Sequence, residues 1–264
     1  LGSAETLRDA MVWLADLSEQ ATADALLRLP SGTATDTIHD VPLRVTVSVT
    51  DARLHVDWTG TEGPHPGNLN APTAIVRAAT LYVLRCILGR DLPLNEGVLR
   101  RVQLTIPEDS IVSPPTGCAV AGGNVETSQR LVDLLLRALG QRAASQGTMN
   151  NLTFGGGTWA HYETLGGGTG ATATHDGRSA VQVHMTNTRS TDPEVLEART
   201  PLRVRQMAIR RDSGGSGACA GGDGLIREIE VLEPCSVSLL ATRRRAGATG
   251  MRRSTLHGAR GFGD

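Results

Sequence analysis

Glu126, His161, Glu163 and His184 are the ionisable side chains of this sequence best placed to move protons. Each stands in a stretch otherwise built largely from Gly, Asn, Thr and Gln, within residues 116–193. Glu126 follows Gly122-Gly123-Asn124, where apolar spacing begins a helix. The free N–H groups and partial positive charge of a helix start can seat an anionic ligand or intermediate. The competing reading is that Asn124 caps the helix and Glu126 only satisfies its dipole. His161 and Glu163 stand two apart, so in a strand both point to one face. There they share a proton or hold a metal, or else form an ordinary surface pair. His184 falls in a segment whose alternation predicts a strand, with Val181, Val183 and Met185 on the apolar face. His184 would then join Gln182 and Thr186 on the polar face, open to a structural or a catalytic role.

The neighbouring side chains are neutral donors and acceptors that can fix a polar ligand: Asn124, Asn150, Asn151 and Asn187. Arg189 suits bidentate contact with a carboxylate or phosphate. The glycines among them would let backbone approach a ligand closely. Asp192 precedes Pro193 and reads as a helix cap. His39, His55, His65 and His257 lack polar company and read as surface residues.

Composition excludes several classes. The 264 residues contain 26 basic side chains, and every one is Arg, so Schiff-base and P-loop lysine chemistry are absent. No Gly-x-Ser-x-Gly elbow occurs. A formal charge of −1 gives no reason to expect nucleic acid or an anionic membrane. The exception is the tail, Arg243-Arg244-Arg245 with Arg252-Arg253, which reads as a solvated terminus. The 4 cysteines form no CxxC pair, and Cys86 reads as core in a reducing compartment. No run approaches the roughly 18 apolar residues of a membrane span. With no signal peptide visible, the expectation is cytoplasmic.

The elements that would position these groups follow from periodicity. Residues 5–29 space Leu7, Met11, Leu14, Leu17, Ala21 and Ala25 as a helix, with Ser3 as its cap. Residues 42–58 alternate as a hairpin around Asp51-Ala52. Asn70 caps a second helix, with Ile75, Ala78, Ala79, Tyr82, Val83 and Cys86 on one face and Gly89 at its end. Val102, Leu104 and Ile106 form a strand. Asn124 opens a third helix whose Val125, Leu131, Val132, Leu135, Leu136 and Leu139 face the core. Beyond 150 the pattern is β and Gly loops, with a short helix from Pro193, strand signal at Leu202 and Val204, and closing strands at 226–231 and 237–240. The result is an α+β fold of mixed helices, β-hairpins and sheets joined by Gly-rich loops, of a length that suits one large domain or two small ones.

Several ordered segments carry a family resemblance. They are Asp57-Trp58-Thr59-Gly60-Thr61, Asn68-Leu69-Asn70-Ala71-Pro72, Pro93-Leu94-Asn95-Glu96-Gly97 and Ala121–Gln129. They continue with Ala144–Asn151, Tyr162–Gly168, His184–Arg189 and Asp212–Gly217. Together they resemble the hydantoinase B/5-oxoprolinase family, from the first helix to about Arg245. The match is to the C-terminal half of that larger fold. It divides the chain into a helical lead-in over 1–40, a family core over 41–245 and a divergent tail over 246–264.

The resemblance implies a B subunit, or a fragment of one, of an ATP-dependent hydrolase of 5-oxoproline, hydantoin or a similar lactam. ATP with Mg would be bound by a hydantoinase A-type partner, and the piece would be inactive without its N-terminal half and that partner. Related subunits serve ketone carboxylases, and a non-catalytic or degenerate fragment is the further alternative. In full-length relatives a divalent metal is held by His- and Asp-containing segments of the N-terminal half, which have no match here. The resemblance makes Glu126, Glu163 and His184 catalytic candidates. It makes Asn124, Asn150, Asn151, Asn187 and Arg189 candidates for substrate binding or a subunit interface. It also turns Ser213–Gly217 from a flexible linker into a family loop.

Overall fold

Two-residue turns organise the first strands. The computed structural model describes residues 3–244 and 247–250. Helix α1 spans Ala4–Leu26, and the Ser3 side chain accepts from the Thr6 N–H at its start, as the cap pattern predicts. Strands β1 (Gly32–Ile38), β2 (Val41–Thr50) and β3 (Arg53–Asp57) follow as consecutive antiparallel partners. Their turns are His39-Asp40 and Asp51-Ala52, with all four residues at positive φ. That geometry matches the right-handed strand twist and permits a two-residue loop. The β2–β3 hairpin is the one the alternation predicts. No alternation marks β1 in the sequence, because its Thr- and Asp-rich run offers only Ala34 and Ile38 as buried apolar residues.

Helix α2 (Thr73–Leu88) buries Val76, Ala79, Val83 and Leu84, and ends at Gly89 in the left-handed region. Cys86 lies on its exposed side, not in the core, because the buried stripe is centred one residue away from the expected face. Strand β4 (Val102–Thr105) adds to β3 in parallel, giving the order β1-β2-β3-β4. Asn70 is not a helix cap. Its amide accepts from the His65 N–H at 2.7 Å and donates to the carbonyls of His65, Gly67 and Ala119. Fully buried, it ties the 65–70 loop to residue 119. His65 and His55 have polar company too, with Gly67 N–H and the Thr105 hydroxyl respectively.

The chain divides into two compact units: Leu1–Val120 with Leu134–Gly140, and Ala121–Asp133 with Gln141–Asp264. The division falls inside helix α3 (Ser128–Ala138), after Asp133. A π-helical turn, Gly123–Thr127, precedes it, and no side chain caps that start. Asn124 is exposed inside this turn, where its carbonyl accepts from the Ser128 hydroxyl at 2.6 Å.

The second unit holds a three-stranded antiparallel sheet of β5 (Asn151–Gly155), β6 (Ala160–Thr164) and β9 (Ser236–Leu240), in the order β6-β5-β9. Helix α4 (Pro193–Arg199) is capped by Asp192, as expected, and leads to the ribbon of β7 (Leu202–Arg210) and β8 (Gly224–Val231). Phe154, Leu196 and Leu202 form the apolar centre, with Leu152, Trp159, Val204 and Ile229 around it. The glycines are used for backbone packing. A Cβ on Gly168 would stand 1.8 Å from the Gly222 carbonyl oxygen, and one on Gly222 would stand 2.0 Å from that of Arg178. Hydrogen bonds from Gly222 to Thr169 and from Gly177 to Ala220 stitch these loops together. Ser213–Gly217 is likewise tied to residues 221–224, with the Gly214 N–H donating to Asp223 at 2.8 Å and the Gly221 N–H to the Gly215 carbonyl at 2.7 Å.

Asn70→Ala would remove a fully buried amide and its four hydrogen bonds to His65, Gly67 and Ala119. Loss of about 2 kcal/mol is expected from those bonds together. A urea denaturation midpoint unchanged from the parent would refute this account of the loop.

Candidate functional site

The polar residues along one side of the π-helical turn and α3 are buried. Glu126, Gln129, Arg130 and Asp133 recur at i, i+3, i+4 and i+7, which places them along one face. Relative exposures of 0%, 0%, 1% and 0% show that this face points inward. A charged stripe can be enclosed only if each group is paired or hydrogen-bonded, and each of these is.

Glu126 accepts at both oxygens. Oε1 takes the Met149 N–H and the Asn151 side-chain amide, each at 3.1 Å. Oε2 takes the Thr242 N–H at 3.2 Å and its hydroxyl at 2.6 Å. Burial pushes this carboxyl above its ordinary value, and the donors from Thr148, Thr242 and Met149 only partly offset it. Asn151 is oriented in turn by Tyr162, whose half-exposed phenol donates to Oδ1 at 2.6 Å. Asn150 adjoins it with a positive φ, donating its amide to the Leu165 carbonyl. Arg130 donates to the Gly147 carbonyl at 2.8 Å and to the carbonyl and hydroxyl of Thr242.

One turn further along, Asp133 accepts from the Ser145 N–H, the Ser145 hydroxyl and His184 Nε2, the last at 2.9 Å. Burial alone would raise its carboxyl. The hydrogen bond from His184, the attraction of His184 and Arg243 and the Ser145 donor together hold it below the ordinary value. Arg243 is 4% exposed, so it belongs to this interior and not to a solvated tail. Arg245, Arg252, Arg253 and His257 lie outside the described residues. Gly147 has φ +64°, and a Cβ there would meet Arg243 Nε at 2.8 Å and Arg130 Nε and Asp133 Oδ2 at 3.2 Å. Glycine is what the close approach of three charged side chains requires at this point.

His184 does not lie in a strand. Ala180 and His184 both have positive φ, which breaks the extended geometry that the apolar alternation suggested. Only an isolated bridge joins Val181 to Gly167. The resulting turn is latched to α3. Gln129 donates to the Val183 carbonyl and the Thr186 hydroxyl and accepts from the Met185 N–H.

Glu163 forms a separate cluster. The register pairs Leu152 with Glu163 and Thr153 with Tyr162, so Glu163 and Tyr162 face opposite sides of the sheet. His161 shares the Glu163 face, as the two-residue spacing predicts. Glu163 is 1% exposed and binds Arg227 Nε at 2.8 Å and the Thr191 N–H at 3.3 Å. His161 Nε2 lies 3.7 Å from Glu163, buried and without a hydrogen-bond partner. Glu126, Asn150 and Asn151 thus come together, His184 joins the same helix face through Asp133, and Glu163 stands apart. Asn124, Asn187 and Arg189 are exposed.

Sequence reasoning missed Arg130, Asp133, Tyr162, Arg227 and Thr242. Spacing alone does not tell an enclosed charge at i, i+4 or i+7 from a solvated one, and Thr242 adjoins the arginine-rich segment that reads as a tail. Among the described residues no group of three or more His, Cys, Asp or Glu could hold a metal ion. No described helix is long and apolar enough to cross a membrane.

Comparisons with known proteins agree with this architecture. The sequence model described as Hydantoinase B/oxoprolinase matches residues 2–261. The chain is 50% identical over 204 residues to 5-oxoprolinase 1 of Arabidopsis thaliana, covering 77% of this chain and 16% of that protein. It is 46% identical over 211 residues to a 5-oxoprolinase of Dictyostelium discoideum, covering 80% of this chain and 17% of that one. Its structure is similar to the ATP-dependent caprolactamase of Pseudomonas jessenii, with a TM-score of 0.80 at 20% identity. That match covers 95% of this chain and 48% of the caprolactamase chain. The chain thus spans only about a sixth of the length of these two 5-oxoprolinases.

Two outcomes test the site's energetics. The Glu126 carboxyl is raised in the folded state, so its contribution to stability is full below the ordinary 4.5 and is lost as pH rises through the folded value. Glu126→Gln should flatten that decline in denaturation curves taken across the acidic-to-neutral range; parallel curves would contradict it. Asp133 is lowered, so its contribution is present above 3.8 and lost as pH falls through the folded value. His184→Ala removes a donor to a buried charge and should cost on the order of 2 kcal/mol at neutral pH. That cost should shrink in acid, where Asp133 is protonated.

Proposed function

The chain belongs to the hydantoinase B/oxoprolinase family, and from that premise we propose that it is part of an ATP-dependent hydrolase of cyclic amides. It works with a hydantoinase A-type, ATP-binding polypeptide and with the remainder of a B-type chain. Relatives named 5-oxoprolinase at 50% and 46% identity support the substrate class. Activation of the lactam oxygen by ATP is assigned to the partner.

Within the chain the reading assigns proton transfer to Glu126. The observation that carries it is a carboxyl wholly enclosed, raised above its ordinary value, and held at both oxygens by neutral donors. A carboxyl brought closer to neutral pH is a better acid–base group near that pH. Asn150 and Asn151 supply neutral amides on the segment that Glu126 organises. The Asp133–His184 pair keeps the 183–186 turn in place, and Asn187 and Arg189 continue from that turn towards solvent as substrate or partner contacts. Glu163 with Arg227 is assigned to holding β6 to β8.

The test is reconstitution of this chain with an A-type polypeptide and the remaining B-type sequence, followed by lactam-dependent ATP hydrolysis on 5-oxoproline, hydantoin and caprolactam. Glu126→Gln should lower turnover by about 10²–10⁴-fold, the range lost with a general acid–base group. A parent complex without lactam-dependent turnover, or a variant that turns over normally, would overturn the proposal.

A further inference from the structure

Glu126 has no exposed surface, yet the reading above asks it to exchange a proton with something outside. Two residues of its hydrogen-bond shell reach solvent, Tyr162 and Thr242. Tyr162 connects through the Asn151 amide, which donates a proton but cannot pass one along. Thr242 connects directly, through a hydroxyl, which can donate one proton while accepting another. Its Oγ1 donates to Glu126 Oε2 at 2.6 Å and accepts from Arg130 at 3.3 Å.

We propose that the Thr242 hydroxyl is the proton relay between the buried Glu126 carboxylate and water or ligand at the partly exposed side of residue 242. This rests on the assignment of Glu126 given above. In the step, the attacking water loses one proton to Thr242 Oγ1 while Oγ1 passes its own to Glu126 Oε2. Hydroxide adds to the carbonyl carbon, Glu126 ends neutral, and Thr242 is unchanged. Arg130 stands within hydrogen-bond reach of the same oxygen and steadies it as the protons cross. The Thr242 N–H, bonded to Oε2 at 3.2 Å, keeps the backbone in register whichever side chain is present.

The experiment compares Thr242→Val with Thr242→Ser in the reconstituted complex. Valine preserves shape and removes the hydroxyl; serine restores the hydroxyl without the methyl. Expected is a fall in kcat of about 100-fold for T242V, with KM little changed and T242S within about threefold of the parent. The ascending limb of the kcat–pH profile should also move upward in T242V, because Oε2 has lost a donor that favours its charged form. Normal turnover in T242V, while Glu126→Gln is inactive, would overturn the relay and leave the Glu126 assignment standing. Normal turnover in Glu126→Gln would overturn both. A T242V loss that T242S does not rescue would assign residue 242 to packing and also overturn the relay. In case T242V unfolds, circular dichroism of the reconstituted complex is read first, and Thr242→Ala then serves as the hydroxyl-free variant with the same expected outcomes.

Discussion

A row of charges inside the protein needs partners that arrive from elsewhere in the chain, and this requirement organises the second unit. Glu126, Arg130 and Asp133 bring two negative charges and one positive to a buried face. Leaving any one unpaired would cost more than the typical net gain of a hydrogen bond. The groups that answer them come from residues 145–151, from the 183–186 turn and from 242–243. Three segments distant in sequence are thereby held against one helix. Removing a partner would release a segment as well as a bond.

The same constraint gives the glycines their role. A layer built from polar loops cannot be filled by interdigitating aliphatic side chains, and the protein has few aromatics to span gaps. Backbone is laid on backbone instead, at separations that any side chain would prevent. Gly168 and Gly222 are examples, and Gly147 does the same for the charged cluster. The π-helical turn before α3 fits this picture. Widening by one residue shifts Glu126 relative to a regular helix, and such turns recur at functional positions.

The two acids of this interior are held in opposite directions by their surroundings. Glu126 has only neutral donors to set against its burial and is raised. Asp133 has a histidine and an arginine and is lowered. Environments that drive neighbouring carboxyls apart are a usual way to separate an acid–base group from a fixed charge. In a hydantoinase B-type protein that separation matches the division of labour proposed here, with one carboxyl to exchange protons and one to anchor the turn that leads to Asn187 and Arg189.

Much of the scaffold was legible in the residues alone, because it depends on local periodicity. The β2–β3 hairpin, the Ser3 and Asp192 caps, the Gly89 terminus and the strands β4, β7, β8 and β9 each follow from side-chain spacing or from a residue suited to one backbone conformation. The ordered Asn and Gly segments also sufficed to indicate the family. What only the tertiary structure decided is which polar groups lie inside. The stripe on α3 has the spacing of a solvated face. Its burial depends on Thr242, which lies 116 residues from Glu126, and on His184, 51 residues from Asp133. The separation of Glu163 from Glu126 likewise depends on strand register, since alternation sends adjacent residues to opposite faces. Spacing reports what a segment would do by itself, whereas the partner that neutralises a buried charge is supplied by the fold.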